Sequence, residues 1–194
     1  PTGQGIVSID HVSSSAGGFK VAAGRPMRML LRYQNNTLEK MDISNGFKLS
    51  SPDGAIWDST TIDTIGYQGS GKSPFTAYFD IAFGLLKYSN DGMGEDSVGF
   101  IAAGRGSQAS KQMPAGYNDT AIAITAWSPD SSSVGKHICI DTSFLRPALT
   151  WVWVSQSLRE YYPAFVGLPG QLRSPGNLGT RLGSGYCFEI VDVP

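Results

Sequence analysis

The residues whose types and spacing could do chemistry begin with Gly66, Gly71, Lys72 and Ser73, which match the phosphate-cradling pattern G-x-x-x-x-G-K-[ST] letter for letter. In a loop of that kind backbone N–H groups hold the phosphates, the lysine reaches the terminal one and the hydroxyl binds magnesium. Such a loop joins a buried parallel strand to a helix. Here the preceding residues 59–65 are mostly polar, and Phe75, Ala77, Phe79, Ile81, Phe83 and Leu85 then take every odd position. That alternation predicts a strand, so nucleotide binding at Gly66, Gly71, Lys72 and Ser73 is disfavoured.

Oxygen ligands concentrate at residues 90–96, where Asp91, Glu95 and Asp96 surround two glycines and form a candidate calcium site. The same composition suits a plain hairpin loop. The two histidines, His11 and His137, lie in strand-like runs with no nucleophile motif beside them. Neither G-x-S-x-G nor H-E-x-x-H occurs, and Asp10 would face the opposite side of a strand from His11. No catalytic residue is assigned, and the chain is expected not to be an enzyme.

Trp151 and Trp153 share one parity of a strand and Tyr161 and Tyr162 follow closely, which is how a sugar-stacking platform could be built. The inner face of a sandwich needs large rings just as much. Asn35 and Asn118 open N-x-[ST] sequons at strand ends and are candidate glycan acceptors. Cys139 and Cys187, the only two cysteines, sit 48 positions apart on strand-like segments. An even count suits a disulfide, worth roughly 4 kcal/mol on the chain-entropy account; two buried thiols are the alternative.

The elements that must position these residues read as strands. Runs at 5–12, 19–23, 27–34, 41–50, 56–60, 75–86, 97–102, 120–128, 136–141, 149–155 and 186–193 are each bounded by clusters of Gly, Pro, Asn, Asp or Ser. Met27, Met29, Leu31 and Tyr33 share a parity against Arg28 and Arg32, and Tyr186, Phe188 and Ile190 oppose Cys187, Glu189 and Val191. No stretch carries a capped 3.6-residue apolar stripe; only 156–162 and 107–113 could make a helical turn or two. Residues 163–185, rich in proline and glycine, are expected to form an ordered irregular loop. With 24 glycines and 11 prolines in 194 residues, the expectation is an all-β chain, one β-sandwich or jelly-roll-like domain of about ten strands.

Charged residues make up 16% of the chain and the formal net charge is -1, with no cluster of lysine or arginine, so nucleic acid is not an expected partner. No apolar run approaches the roughly 20 residues of a membrane-spanning helix. The chain begins at Pro1 rather than methionine, which suggests a mature, exported chain whose leader has been removed. Ser44 to Phe47 with Ser51 to Gly54, and again Gly135 to Phe144, resemble uncharacterised secreted β-sandwich modules of environmental bacteria. That resemblance implies export and the cysteine pair and carries no activity or cofactor.

The function expected from these residues is that of a non-enzymatic extracellular structural protein, assembling with copies of itself into a filament, sheath or surface layer. Strand addition by residues 1–12 or 186–193 to a neighbouring sheet is one route. The alternative is a glycan-binding or adhesive module acting on cell-surface glycans through Trp151 and Trp153.

Overall fold

A computed structural model describes residues 5–13, 20–64, 75–88, 95–104, 111–143, 151–166 and 186–194. Alternating apolar residues make thirteen strands among them: β1 Gly5–Ser13, β2 Lys20–Ala22, β3 Met27–Asn35, β4 Met41–Ser50, β5 Ser59–Thr64, β6 Ile81–Tyr88, β7 Glu95–Ala103, β8 Asn118–Trp127, β9 His137–Ser143, β10 Trp151–Ser155, β11 Glu160–Tyr161, β12 Ala164–Val166 and β13 Tyr186–Val191. They form two sheets. The first runs β12-β1-β3-β8-β5, and the second is organised around β4.

Strand β4 carries β7, and beyond it β6, along one flank. Its other flank is shared end to end: β10 pairs with Met41 to Asn45, and β9 pairs with Gly46 to Ser50. The inner faces follow the sequence alternation. Met27, Met29, Leu31 and Tyr33 of β3 and Tyr186, Phe188 and Ile190 of β13 all enter one continuous core. Strand β8 departs from simple alternation, being buried at every position from Thr120 to Ala126. It lies between β3 and β5, and the small residues Ala123 and Thr125 on its outward side are buried as well.

Four expectations are corrected. The run 75–86 is not one strand: Phe75–Tyr78 is a 3-10 turn, and the strand begins at Ile81. Phe75 and Phe79 are both buried with ring centroids 5.1 Å apart. In a strand residues four apart would be separated by about 13 Å, so the turn is what lets both rings enter the same cluster. Strand β5 starts at Ser59 rather than 56 because Trp57 turns into the core, donating from Nε1 to Thr60 Oγ1 at 2.9 Å. Residues 156–162 form no helical turn but a hairpin into β11, and Ala164–Val166 within the supposed loop 163–185 is strand β12. The rest of that loop, and most of 107–113, lies outside the described residues.

Both terminal strands are paired on two sides over part of their length: β1 with β3 and, at Ile6 to Ser8, with β12, and β13 with β9 at Tyr186 to Glu189 and with β2 at Glu189 to Val191. Of the sheet edges, β2, β11 and β12 are only two or three residues long, a common way of discouraging strand addition, while the longer edges β5 and β6 have six and eight residues. At the remaining corner Gly84 of β6 meets Ile62 of β5; a Cβ on Gly84 would stand 2.6 Å from Ile62 Cγ2. A glycine is what allows that approach.

Candidate functional site

The strand β10 turns Trp151 and Trp153 inward, and both are fully buried. Trp151 Nε1 donates to Pro163 O at 2.6 Å, and its ring stands edge-on to Phe47 and Phe165. Trp153 Nε1 donates to Asn45 Oδ1 at 2.9 Å, its ring beside Tyr33 at 5.6 Å. Gly5 lies so close that a Cβ there would overlap the Trp153 ring. These two tryptophans are core, and they form no sugar platform, because neither ring reaches the surface. Tyr161 is half-buried with its hydroxyl on Glu39, and Tyr162 is exposed with its hydroxyl on Glu160.

Trp127, the last residue of β8, is the tryptophan that reaches solvent, at 40% exposure. Its Nε1 donates to Thr61 Oγ1 at 2.7 Å. The sequence offered one signal for this: Trp127 ends its run immediately before Ser128-Pro129, and strand ends are less covered than strand centres.

A second surface gathers at the loops that leave β3 and β10. Asn35 is fully buried; its Nδ2 donates to Glu39 O at 2.9 Å and to Pro114 O at 3.1 Å, while its Oδ1 accepts from Thr37 Oγ1 at 2.7 Å. This folds residues 36–39 into a rigid projection with Leu38 at its tip. Opposite, Leu158 sits at φ +59° in the hairpin joining β10 to β11, a left-handed backbone that a leucine seldom adopts. The Glu39 carboxylate ties the two loops, accepting from Ser157 Oγ on one oxygen and from Tyr161 OH on the other. Those hydroxyls hold the Glu39 carboxyl below its ordinary value, and the same contact with Glu39 raises Tyr161. Leu38 and Leu158 remain 87% and 81% exposed.

The sequon at Asn35 is therefore closed to a glycan in the folded chain, since both of its amide hydrogens are used internally. Asn118 is exposed; Arg32 Nη1 donates to its side-chain oxygen at 3.1 Å and to its backbone carbonyl at 3.2 Å, and among the described residues its side-chain nitrogen makes no hydrogen bond. Cys139 and Cys187 stand directly opposite in the β9–β13 register and are joined as a disulfide.

Asp96, expected at a calcium loop, is instead buried, accepting from Trp57 Nε1 at 3.0 Å and from the Thr60 hydroxyl. It serves a structural acceptor's role. Asp91 and the side chain of Glu95 lie outside the described residues, and among the described residues no three His, Cys, Asp or Glu side chains converge on a point that could hold a metal. Gly66, Gly71, Lys72 and Ser73 lie outside them too.

His137 does have a partner that sequence spacing could not reveal: its Nδ1 lies 2.8 Å from Asp53 Oδ2. Burial pushes the Asp53 carboxyl up, but the His137 ring, the His137 backbone N–H and the Ser51 hydroxyl outweigh it and hold Asp53 below its ordinary value. Ser51 Oγ donates to Asp53 Oδ1 at 2.9 Å. The hydroxyl is thus bonded to the carboxylate and not to the imidazole, so the trio lacks the base-to-nucleophile contact that acyl transfer requires.

No protein-family model matches this sequence, and no curated protein matches it. Solved structures of similar architecture include a type II cohesin domain from the cellulosome of Acetivibrio cellulolyticus, with 9% identity, TM-score 0.47, and 87% of this chain and 92% of that one covered. A ScaB type I cohesin from Pseudobacteroides cellulosolvens has 13% identity and TM-score 0.45 over 98% and 94% of the two chains. An immunoglobulin-like protein from Nocardia farcinica has 9% identity and TM-score 0.36 over 95% and 98%. The class these strands define is the two-sheet β-sandwich. No helix among the described residues is long and apolar enough to cross a membrane.

Proposed function

We propose that this chain is a non-enzymatic extracellular structural protein that assembles with copies of itself through side-chain contacts at the Leu38–Leu158 end of the sandwich. The observation that carries this is the pair of leucines held out at 87% and 81% exposure on loops cross-tied by Glu39. A leucine kept in left-handed backbone and yet given to water gains nothing for its own fold, and such outliers point to use elsewhere. The terminal strands β1 and β13 take partners within the chain, which favours side-chain contact over strand addition as the means of assembly. Four of the described acids hold structural partners, which fits a structural reading of them: Asp10 is engaged by Arg32, Asp53 by His137, Glu39 by two hydroxyls and Asp96 by Trp57.

Electron microscopy together with sedimentation across a range of concentrations tests this. Wild type is expected to associate, and Leu38→Asp with Leu158→Asp to weaken association by about tenfold or more while leaving a folded monomer. A wild-type chain that stays monomeric throughout overturns the proposal.

A further inference from the structure

We infer that the outer face of the first sheet around Trp127 is a binding site for a neutral polysaccharide chain. This goes beyond self-assembly and rests on a different surface. Ala126 faces the core, so the next residue, Trp127, lies on the outer face. Its only donor is spent on Thr61 Oγ1 at 2.7 Å, which fixes the indole against β5 while the residue stays 40% exposed. Trp57, Trp151 and Trp153 are fully buried. Ser128 follows at φ +48° and ends the strand there, so no further β8 side chain stands beyond the ring on that face.

What surrounds the ring selects the ligand. Ser59 is opposite Trp127 in the β5–β8 register, Thr61 is opposite Thr125, and Asp63 comes two positions further along the same face. Across the other flank of β8, Arg28 is opposite Thr125. The aromatic surface is thus set among hydroxyls, one exposed guanidinium and one exposed carboxylate. A pyranose has the complementary make-up, an apolar C–H face edged by hydroxyls that both donate and accept. A lipid surface or an apolar protein would call for an apolar residue directly beside the ring, and Ser59, its partner in the β5–β8 register, is polar. Arg28 and Asp63 carry opposite charges, which removes the net attraction an anionic polymer would need.

The experiment uses the intact chain with insoluble cellulose and chitin in co-sedimentation, and with soluble β-glucan and xylan in fluorescence titration. At least one of these probes is expected to be retained by wild type, with Trp127→Ala weakening retention by about tenfold or more. Trp127→Phe, which keeps a ring without the Thr61 bond, is expected to bind severalfold more weakly, and Trp153→Phe to bind like wild type. Limited oxidation with N-bromosuccinimide is expected to modify Trp127 first among the four tryptophans, and the bound polysaccharide to protect it. Retention of none of the four probes, or retention by a folded Trp127→Ala chain equal to wild type, overturns the inference. So does a Trp127→Ala chain that loses self-association but never had a saccharide to lose, since that result makes the surface a protein contact. Self-association that survives Trp127→Ala but not the leucine changes keeps the two surfaces distinct.

Discussion

The indole N–H of Trp153 donates to the side-chain oxygen of Asn45 over 2.9 Å inside the core, although the two residues are not opposite each other in the β10–β4 register. Trp151 is the residue opposite Asn45, so the bond runs diagonally along the inner face. It places an amide at a position where the β4 alternation calls for an apolar side chain. Asn45→Ala is expected to leave the Trp153 N–H buried without an acceptor and to cost about 2 kcal/mol. Thermal unfolding checks this: for a chain of this length that cost corresponds to a fall in Tm of roughly 4–8 °C. An unchanged Tm would show that the bond contributes nothing net.

This diagonal also marks the boundary of what the residues alone reveal. The strands β3, β4 and β13 are legible because each has one apolar parity, and burial on one face enforces that parity. Alternation does not say whether a strand's second face meets water, so by parity alone Trp151, Trp153 and Trp127 look alike while two are core and one is exposed; only the position of Trp127 at the end of its run sets it apart. The same pattern is ambiguous at Phe75 and Phe79, where a 3-10 turn serves the rings better than extended backbone. Asn35 was legible as a sequon and illegible as the keystone of a loop, since its four hydrogen-bond partners include the carbonyl of Pro114, distant in sequence. The pairing of His137 with Asp53 is likewise a product of topology.

Reducing the disulfide should lower global stability without displacing β13. Cys139 and Cys187 join strands that already pair, so the native backbone need not move when the bond opens, and the effect falls on the unfolded chain. Cys139→Ser with Cys187→Ser is expected to cost about 2–4 kcal/mol in denaturant unfolding. A cost near zero would show that the β9–β13 ladder alone holds the last strand.

Acid should loosen the Leu38–Leu158 end. The Ser157 and Tyr161 hydroxyls depress the Glu39 carboxyl below its ordinary value of 4.5. A depressed carboxyl contributes stability that is fully present above the ordinary value and is lost as pH falls through the folded one. Amide hydrogen exchange over residues 155–161 is therefore expected to be flat above pH 5 and to speed up, beyond the intrinsic pH effect, below about pH 4. Glu39→Gln should remove that acid limb. An acid limb that persists in Glu39→Gln would assign it to another carboxylate, with Asp53 and Asp130 next in line because both are also held low.

Glycan attachment separates the two sequons. If the chain is passed through a glycosylating secretory host, occupancy is expected at Asn118, whose amide nitrogen is not engaged, and not at Asn35, whose amide donates to Glu39 O and Pro114 O. Peptide mass spectrometry after enzymatic deglycosylation reads each site separately. Asn118→Gln should abolish the glycan with little change in stability, its side chain being exposed. Asn35→Ala should instead cost about 3 kcal/mol, because it leaves buried carbonyls and the Thr37 hydroxyl without their partner and frees the loop that carries Leu38. A glycan found on Asn35 in folded material would mean that this loop opens or forms only after the sugar is added, and the rigid presentation of Leu38 on which assembly depends would then fail with it.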